Sequence, residues 1–411
     1  MKGTRWIRVA VVVAVLLGSM PAYAWRFDLG ENTNLNVAAL IQFQAQFLQN
    51  AAPDKTDYSK DFFLRRVRFL LWGDVWKGIS FFLDSEQPNF GKGGNWDAAM
   101  FISDAFVTFK VVDQFMVDAG MMLLPFSRHG FQSAPGLNGL DFHLGLLKYV
   151  DGSNKNLRDA GIQLRGYVFE RKLQYRLGVF NGAQGQSLQK DAAGAAVKDV
   201  AGKTALMSNP EDWPRFAGHL RYNILGTETE FFAKGITFGQ SPTLSIGAGF
   251  DYQVASVMKT ATVLNKDLSV KTPGTLTHSL GLTADVFVDV PFGPDKQHEI
   301  VFMAGFFYYD HGFELAYDKA KNATLVHAKN SGVGFLSELG YRYTFVEPVL
   351  TVDYFSSRQA AQDLLVVKGG LNFWIRNSAV NIKTEFGAQK SGDLASAPWI
   401  KCFTTQAQLF F

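Results

Sequence analysis

The chain is 411 residues long, 47% hydrophobic and 14% aromatic, with 40 basic against 37 acidic side chains. The surplus equals the three cations Lys2, Arg5 and Arg8; beyond them the chain is formally neutral, which gives no reason to invoke nucleic acid or an acidic partner surface. The one cysteine, Cys402, excludes an internal disulfide framework and any CxxC or CxxCH site.

The leading cations precede an apolar run, Val9 to Leu17, and a small-x-small site, Ala22-Tyr23-Ala24. That is the pattern of a secretory signal peptide over residues 1–24, with a mature chain starting at Trp25. The run is far shorter than the ~20 residues of a spanning helix, and no later stretch is apolar for long enough. A membrane protein with this sequence has to cross as a closed barrel, because only closure satisfies every strand's backbone groups in lipid.

Period-two alternation then recurs along the chain. In Leu35 to Leu48, Gln42, Gln44 and Gln46 oppose Ile41, Phe43, Ala45 and Phe47. In Phe62 to Val75, Arg66, Arg68 and Asp74 oppose Val67, Phe69 and Leu71, and Trp76-Lys77-Gly78 turns the chain into Ile79 to Glu86. Asp104 to Val111 and Phe115 to Leu124 read as a hairpin. Pro125 to Asp159 is a long irregular connection, of the kind that carries function. Gly161 to Glu170 and Leu173 to Phe180 form a hairpin through Arg171, and Asn181 to Pro214 is a second long loop. Further strands are expected at Arg215 to Leu225, Thr243 to Gln253, Leu276 to Asp289, Glu299 to Tyr309, Val333 to Thr344, Val349 to Phe355, Leu364 to Arg376, Ser378 to Ala388 and Lys401 to Phe411.

Glu228 to Ile236 is ambiguous by pattern. Omitting it leaves sixteen strands whose connections alternate short and long apart from the awkward turn Gly226 to Pro242, the pattern single-chain barrels favour; counting it gives seventeen and puts later long loops on the wrong side. It is therefore read as an extended periplasmic turn. The last strand has Phe403, Thr405, Ala407, Leu409 and Phe411 on one face and Cys402, Thr404, Gln406, Gln408 and Phe410 on the other. Its terminal phenylalanine resembles the ending of bacterial outer-membrane barrels.

With apolar side chains toward lipid, alternation sends Arg66, Arg68, Arg165, Arg176, Arg221, Arg376, Lys368 and Lys383 into the lumen, together with Asp84, Glu86, Asp118, Asp251, Asp285, Glu338, Asp353 and Glu385. A lipid-facing Arg or Lys would cost roughly 2 to 4 kcal/mol at the midplane. Such charges either set a field across a water-filled path or cross-pair within the wall. Catalytic patterns are poor: there is no GxSxG, His298-Glu299 lacks the second histidine of HExxH, and Gly91, Gly93 and Gly94 have no strand-to-helix context. The sequence suggests no catalytic residue, metal site or cofactor.

Several stretches resemble the phosphate-selective porin O/P family: Asp104-Ala105-Phe106-Val107-Thr108-Phe109, Asp118-Ala119-Gly120-Met121, Pro125-Phe126-Ser127, Arg65-Arg66-Val67-Arg68, Arg158-Asp159-Ala160-Gly161, Gly178-Val179-Phe180-Asn181-Gly182, Gly247-Ala248-Gly249-Phe250 and Gly370-Leu371-Asn372-Phe373. The resemblance covers nearly the whole mature chain. It implies an all-β, sixteen-stranded outer-membrane barrel, a homotrimer in outer-membrane lipid, with residues 125–159 folded inward as a constriction loop. Small hydrophilic solutes or anions would pass it. Arg66, Arg68, Arg165, Arg176 and Arg221 would favour anions, while Asp84, Glu86 and Asp118 would oppose them. In phosphate-selective members the eyelet is crowded with cations; here Arg128, Lys148, Lys155 and Arg158 face Asp141, Asp151 and Asp159, a surplus of one. His129 and His143, also in the loop, would add charge at lower pH but read rather as exposed or packing residues. A different expectation is a barrel acting as scaffold or sheath around a partner protein in an envelope complex.

Overall fold

A computed structural model gives the fold, and it describes residues 24–146, 157–183, 186–187, 206–209, 211–260, 263–264, 270–272, 275–316, 324–327, 331–358 and 362–411. Sixteen antiparallel strands form the wall. They are β1 (Thr33–Leu48), β2 (Asp61–Trp76), β3 (Ile79–Phe90), β4 (Phe101–Val112), β5 (Phe115–Leu123), β6 (Arg158–Val168), β7 (Leu173–Phe180) and β8 (Arg215–Leu225), then β9 (Thr243–Thr260), β10 (Thr275–Phe292), β11 (His298–Asp310), β12 (Gly332–Tyr343), β13 (Val346–Ser357), β14 (Asp363–Ser378), β15 (Val380–Gly392) and β16 (Ile400–Phe410). Each pairs with its chain neighbours, and β16 closes onto β1 with Ile41 opposite Leu409 and Gln44 opposite Gln406. Closure removes the unpaired edges that lipid could not tolerate.

The expected strands all appear, most of them a few residues longer. Residues 226–242 contain no strand of the wall, as the alternation of short and long connections requires. Among the strands that were not legible is the first of the described residues. Trp25–Gly30 pairs with the start of β1, Trp25 opposite Val37, and the Trp25 ring lies 6.1 Å from that of Phe411. It is exposed along its length, so no buried face imposes a period on its sequence. The expected signal peptide, residues 1–24, lies almost wholly outside the described residues.

Sidedness follows the pattern. Phe43, Phe69, Ile162, Leu177, Phe250, Phe306, Phe386 and Phe403 are exposed on the outer face, whereas Gln42, Gln44, Arg66, Arg68, Asp84, Glu86, Arg165 and Arg176 are buried on the inner one. Between the pairs Gln42–Arg66 and Phe43–Leu64 the register shifts, leaving Arg65 as the extra residue of a β-bulge. Arg65 and Arg66 consequently both reach inward.

Residues 124–157 connect β5 to β6, and their described part crosses the inside of the barrel. Carboxylates of the far wall accept its backbone amides: Arg128 N–H donates to Asp285 (3.1 Å), Leu140 N–H to Glu385 (2.7 Å) and Gly145 N–H to Asp353 (2.7 Å). The Lys383 ammonium donates to the carbonyls of Leu137, Asn138 and Gly139. The loop's entry lies against β9, where a Cβ on Gly249 would stand 2.0 Å from the Phe126 carbonyl oxygen. Only glycine permits that approach.

Where the loop docks, the wall departs from the rule of apolar outside and polar inside. Phe287, Val301, Met303, Phe307, Tyr309, Leu336 and Phe355 point inward and form a buried cluster with Phe126 and Leu146. Burying a side chain such as Phe126 contributes about 1.5–3 kcal/mol. β11 is accordingly apolar on both faces, because one face meets lipid and the other meets the loop. The loop is also shorter than its sequence reading. Arg158 and Asp159 belong to β6, where Arg158 sits opposite Leu123, since pairing with β5 resumes there.

The turn 226–242 folds inward as well. Ala233 N–H donates to Phe131 O (3.0 Å) and Gly235 N–H to Gly136 O (2.9 Å), while Thr237 N–H donates to Asp289 (2.6 Å) and Gly239 N–H to Glu299 (2.7 Å). Its Phe231 and Phe232 rings pack on Phe106 (4.7 Å) and Phe82 (5.1 Å) of the wall.

Candidate functional site in the barrel lumen

Cavities inside the barrel lie along β1–β4 and β14–β16, beside the docked loop, whose Pro135 and Leu140 to Phe142 line them. On the long-loop side a cavity of about 300 Å³ is lined by Gln44, Gln46, Arg65, Lys92, Asp141, Lys368 and Glu385 among others. On the short-turn side lies one of about 330 Å³ lined chiefly by Leu40, Leu70, Trp72, Phe82, Pro135, Phe231, Phe232 and Phe410, with Arg68, Asp84 and Arg158. It adjoins a mouth of about 360 Å³ at Arg26, Asn34, Asp74 and Arg165, through the shared rings of Trp72, Phe82, Phe231 and Phe232.

Alternation places Gln42, Arg66 and Gln408 in the layer between the first two cavities. Gln42 donates to Gln408 (2.7 Å) and accepts from Arg66 (2.9 Å), and Gln408 donates to the Pro135 carbonyl of the loop (3.1 Å). Arg66 also pairs with Asp141 (2.5 Å) and lies 3.7 Å from Glu86. Arg65 takes the other oxygen of Asp141 at 2.7 Å. Burial alone would push the Asp141 carboxyl up, but the two guanidinia outweigh it and hold it below the ordinary carboxylate range.

The arginines the sequence sends inward are in the lumen, but nearly all are engaged. Arg68 pairs with Asp84 (2.9 Å) and Glu86, Arg165 with Asp118 (2.8 Å), and Arg158 with Asp104 (2.8 Å). Arg221 lies 3.6 Å from Glu228, which Arg128 holds at 2.5 Å while its guanidinium covers the Phe287 ring. Arg176 differs. It donates to the Phe231 carbonyl (2.6 Å) and stacks over Phe131 and Phe231, with no carboxylate partner among the described residues. Asp118 further accepts from Thr108 and Gln163. His129 and His143 are buried side by side, and His143 meets Glu338 at 3.1 Å. Lys148 lies outside the described residues, as do Asp151 and Lys155.

Sequence reasoning missed several contributors, Lys92 of the outer cavity among them. Arg65 reads as outward by parity and is turned in by the bulge. Asp104 shares parity with Phe106 and Thr108, a usable signal. Glu228 meets Arg128 across a hundred positions of chain, and nothing local announces it.

Closed sixteen-strand barrel, outward apolar belt and charged interior together define a bacterial outer-membrane barrel of the porin type. Among solved structures it is similar to OmpF of Salmonella typhi in complex with daunomycin (TM-score 0.55, 8% identity, 94% of this chain and 100% of that one), and to the outer-membrane channel DcaP of Acinetobacter baumannii (0.53, 13%, 94% and 99%). It is also similar to an anion-selective porin from Comamonas acidovorans (0.51, 11%, 92% and 100%). At these identities the likeness is one of fold. The family model for phosphate-selective porins O and P matches residues 37–209, which takes in the motifs of β2 to β7 but not the later ones at Gly247 and Gly370, so it covers less of the chain than the resemblance read from the sequence. Comparison with curated proteins finds no match.

Proposed function

We propose that the chain is a passive outer-membrane channel for small hydrophilic solutes or ions with only a slight preference for anions. The observation that carries this reading is the pair of cavities on either side of a single layer, Gln408–Gln42–Arg66–Asp141, in a lumen narrowed by the loop from β5. The outer cavity presents Arg65, Lys92 and Lys368 against Asp141 and Glu385, one cation in excess. Deeper in, the arginines hold carboxylates, so few donors remain to replace the hydration of phosphate. Against a sheath around a partner protein stands the loop itself, which occupies the lumen such a partner would need. The resemblance to the porin family supports a homotrimer, and the leader pattern supports cleavage before Trp25.

Liposomes containing the purified, folded barrel test this reading. Uptake of uncharged solutes should fall steeply from glycerol to disaccharides, since selectivity follows pore radius. Absence of uptake for every solute, from a barrel shown to be folded, would contradict the channel and favour the scaffold.

A further inference from the structure

We propose that His129, His143 and Glu338 form a binding site for a divalent cation of the zinc class, which clamps the loop from β5 to strand β12. One donor atom from each residue lies within 4.8 Å of the others, and all three side chains are buried. Two imidazoles and one carboxylate form a recognised zinc donor set, with a fourth position left for water or another oxygen. Tetrahedral bonds of about 2.0–2.1 Å put donors about 3.3 Å apart. Nε2 of His143 already stands 3.1 Å from Oε1 of Glu338. Only the His129 ring has to close in, by about 1.5 Å at most.

A second observation concerns His129 itself. Its Nδ1 is buried with no hydrogen bond of ordinary geometry, and its Nε2 accepts only a long contact from His143 N–H (3.3 Å). An imidazole nitrogen that is buried and left without a hydrogen bond is a ready ligand. The neighbouring Gln132 amide is also unsatisfied and can orient the ring from behind. Asp353, which lines the same small cavity as His143 and accepts from Gly145, supplies further negative charge. The two histidines flank residues 130–142, the part of the loop that spans the lumen, so one cation would fix both ends of that span to the wall. The site stands on this geometry and does not depend on the channel reading.

The full-length folded barrel, stripped with EDTA and dialysed against Zn²⁺, tests it by metal analysis, with Co²⁺ absorption reporting the donor set. We expect one equivalent of metal per chain and the intense visible bands of tetrahedral cobalt with nitrogen ligands. His129→Asn and His143→Asn should abolish stoichiometric binding, the nearly isosteric Glu338→Gln should weaken it by at least about tenfold, and His298→Asn, at the exposed turn end of the barrel, should leave it unchanged. Heat-modifiable gel migration establishes that each variant is folded. Failure of the unaltered protein to bind either metal stoichiometrically would overturn the proposal, and so would binding that survives His129→Asn and His143→Asn. The cobalt spectrum of the unaltered protein reads the ligands even if a variant fails to fold.

Discussion

Arg66 is bound on three sides at once, by Gln42, Asp141 and Glu86, and its neighbours show how far a single residue's role can be read from alternation. Parity gives the face a side chain points to, because successive strand residues alternate sides. It gives neither depth nor partner. Arg165 illustrates the difference. As a free lumen cation its removal would tilt selectivity toward cations and leave the barrel intact, but its guanidinium neutralises the buried Asp118. Arg165→Ala should therefore destabilise the fold by about 3 kcal/mol by stranding that carboxylate. Urea unfolding should show the loss, and adding Asp118→Ala should recover much of it. Full stability of the single variant would refute the pairing. Asp141→Asn has the opposite character. Its loss frees Arg65 and Arg66 beside the path, and a unit charge at 4 Å in water is worth about 1 kcal/mol, roughly a fivefold change in local anion occupancy. The reversal potential should move toward the anion by up to that ratio; movement toward the cation would contradict the eyelet geometry.

At the scale of elements, the sixteen strands were legible because one face of each meets lipid, and that boundary condition prints a period of two on the sequence. The exposed strand Trp25–Gly30 meets no such boundary and left no period. The inward loop was legible as a long irregular connection, but its attachment was not, since Asp285, Asp353, Glu385 and Lys383 read simply as lumen charges. In the structure they anchor loop backbone. The inward turn 226–242 was legible as a non-strand by counting, whereas its packing against Phe82 and Phe106 depends on partners far along the chain. Loop docking makes a specific demand at Gly249. A Cβ there would lie 2.0 Å from the Phe126 carbonyl, so Gly249→Val should displace the loop while leaving the strands paired. Limited proteolysis of the folded variant should cut within residues 124–157 faster than in the unaltered protein, and equal protection would show that the loop is held elsewhere.

Taken as a whole molecule, the barrel is asymmetric inside. The loop is anchored to β9, β10, β12, β13 and β15, and the cavities lie beside it toward β1–β4 and β14–β16. The family resemblance anticipates a path lined by arginines, yet most of these arginines hold carboxylates, Arg176 rests on aromatic rings, and the cavity linings carry a single cation in excess, as around Arg65, Lys92 and Lys368. Charge compensation of this kind keeps the interior wet at little net field, which suits small solutes of either sign and weakens any claim on phosphate. The most direct test is the reversal potential of the purified protein in a planar bilayer under a salt gradient, with chloride and then phosphate as the anion. The account predicts stepwise conductance, a small shift toward the anion, and no block of chloride current by phosphate. Strong anion selectivity with current blocked by low phosphate would contradict it, because free cationic donors would then have to line the path.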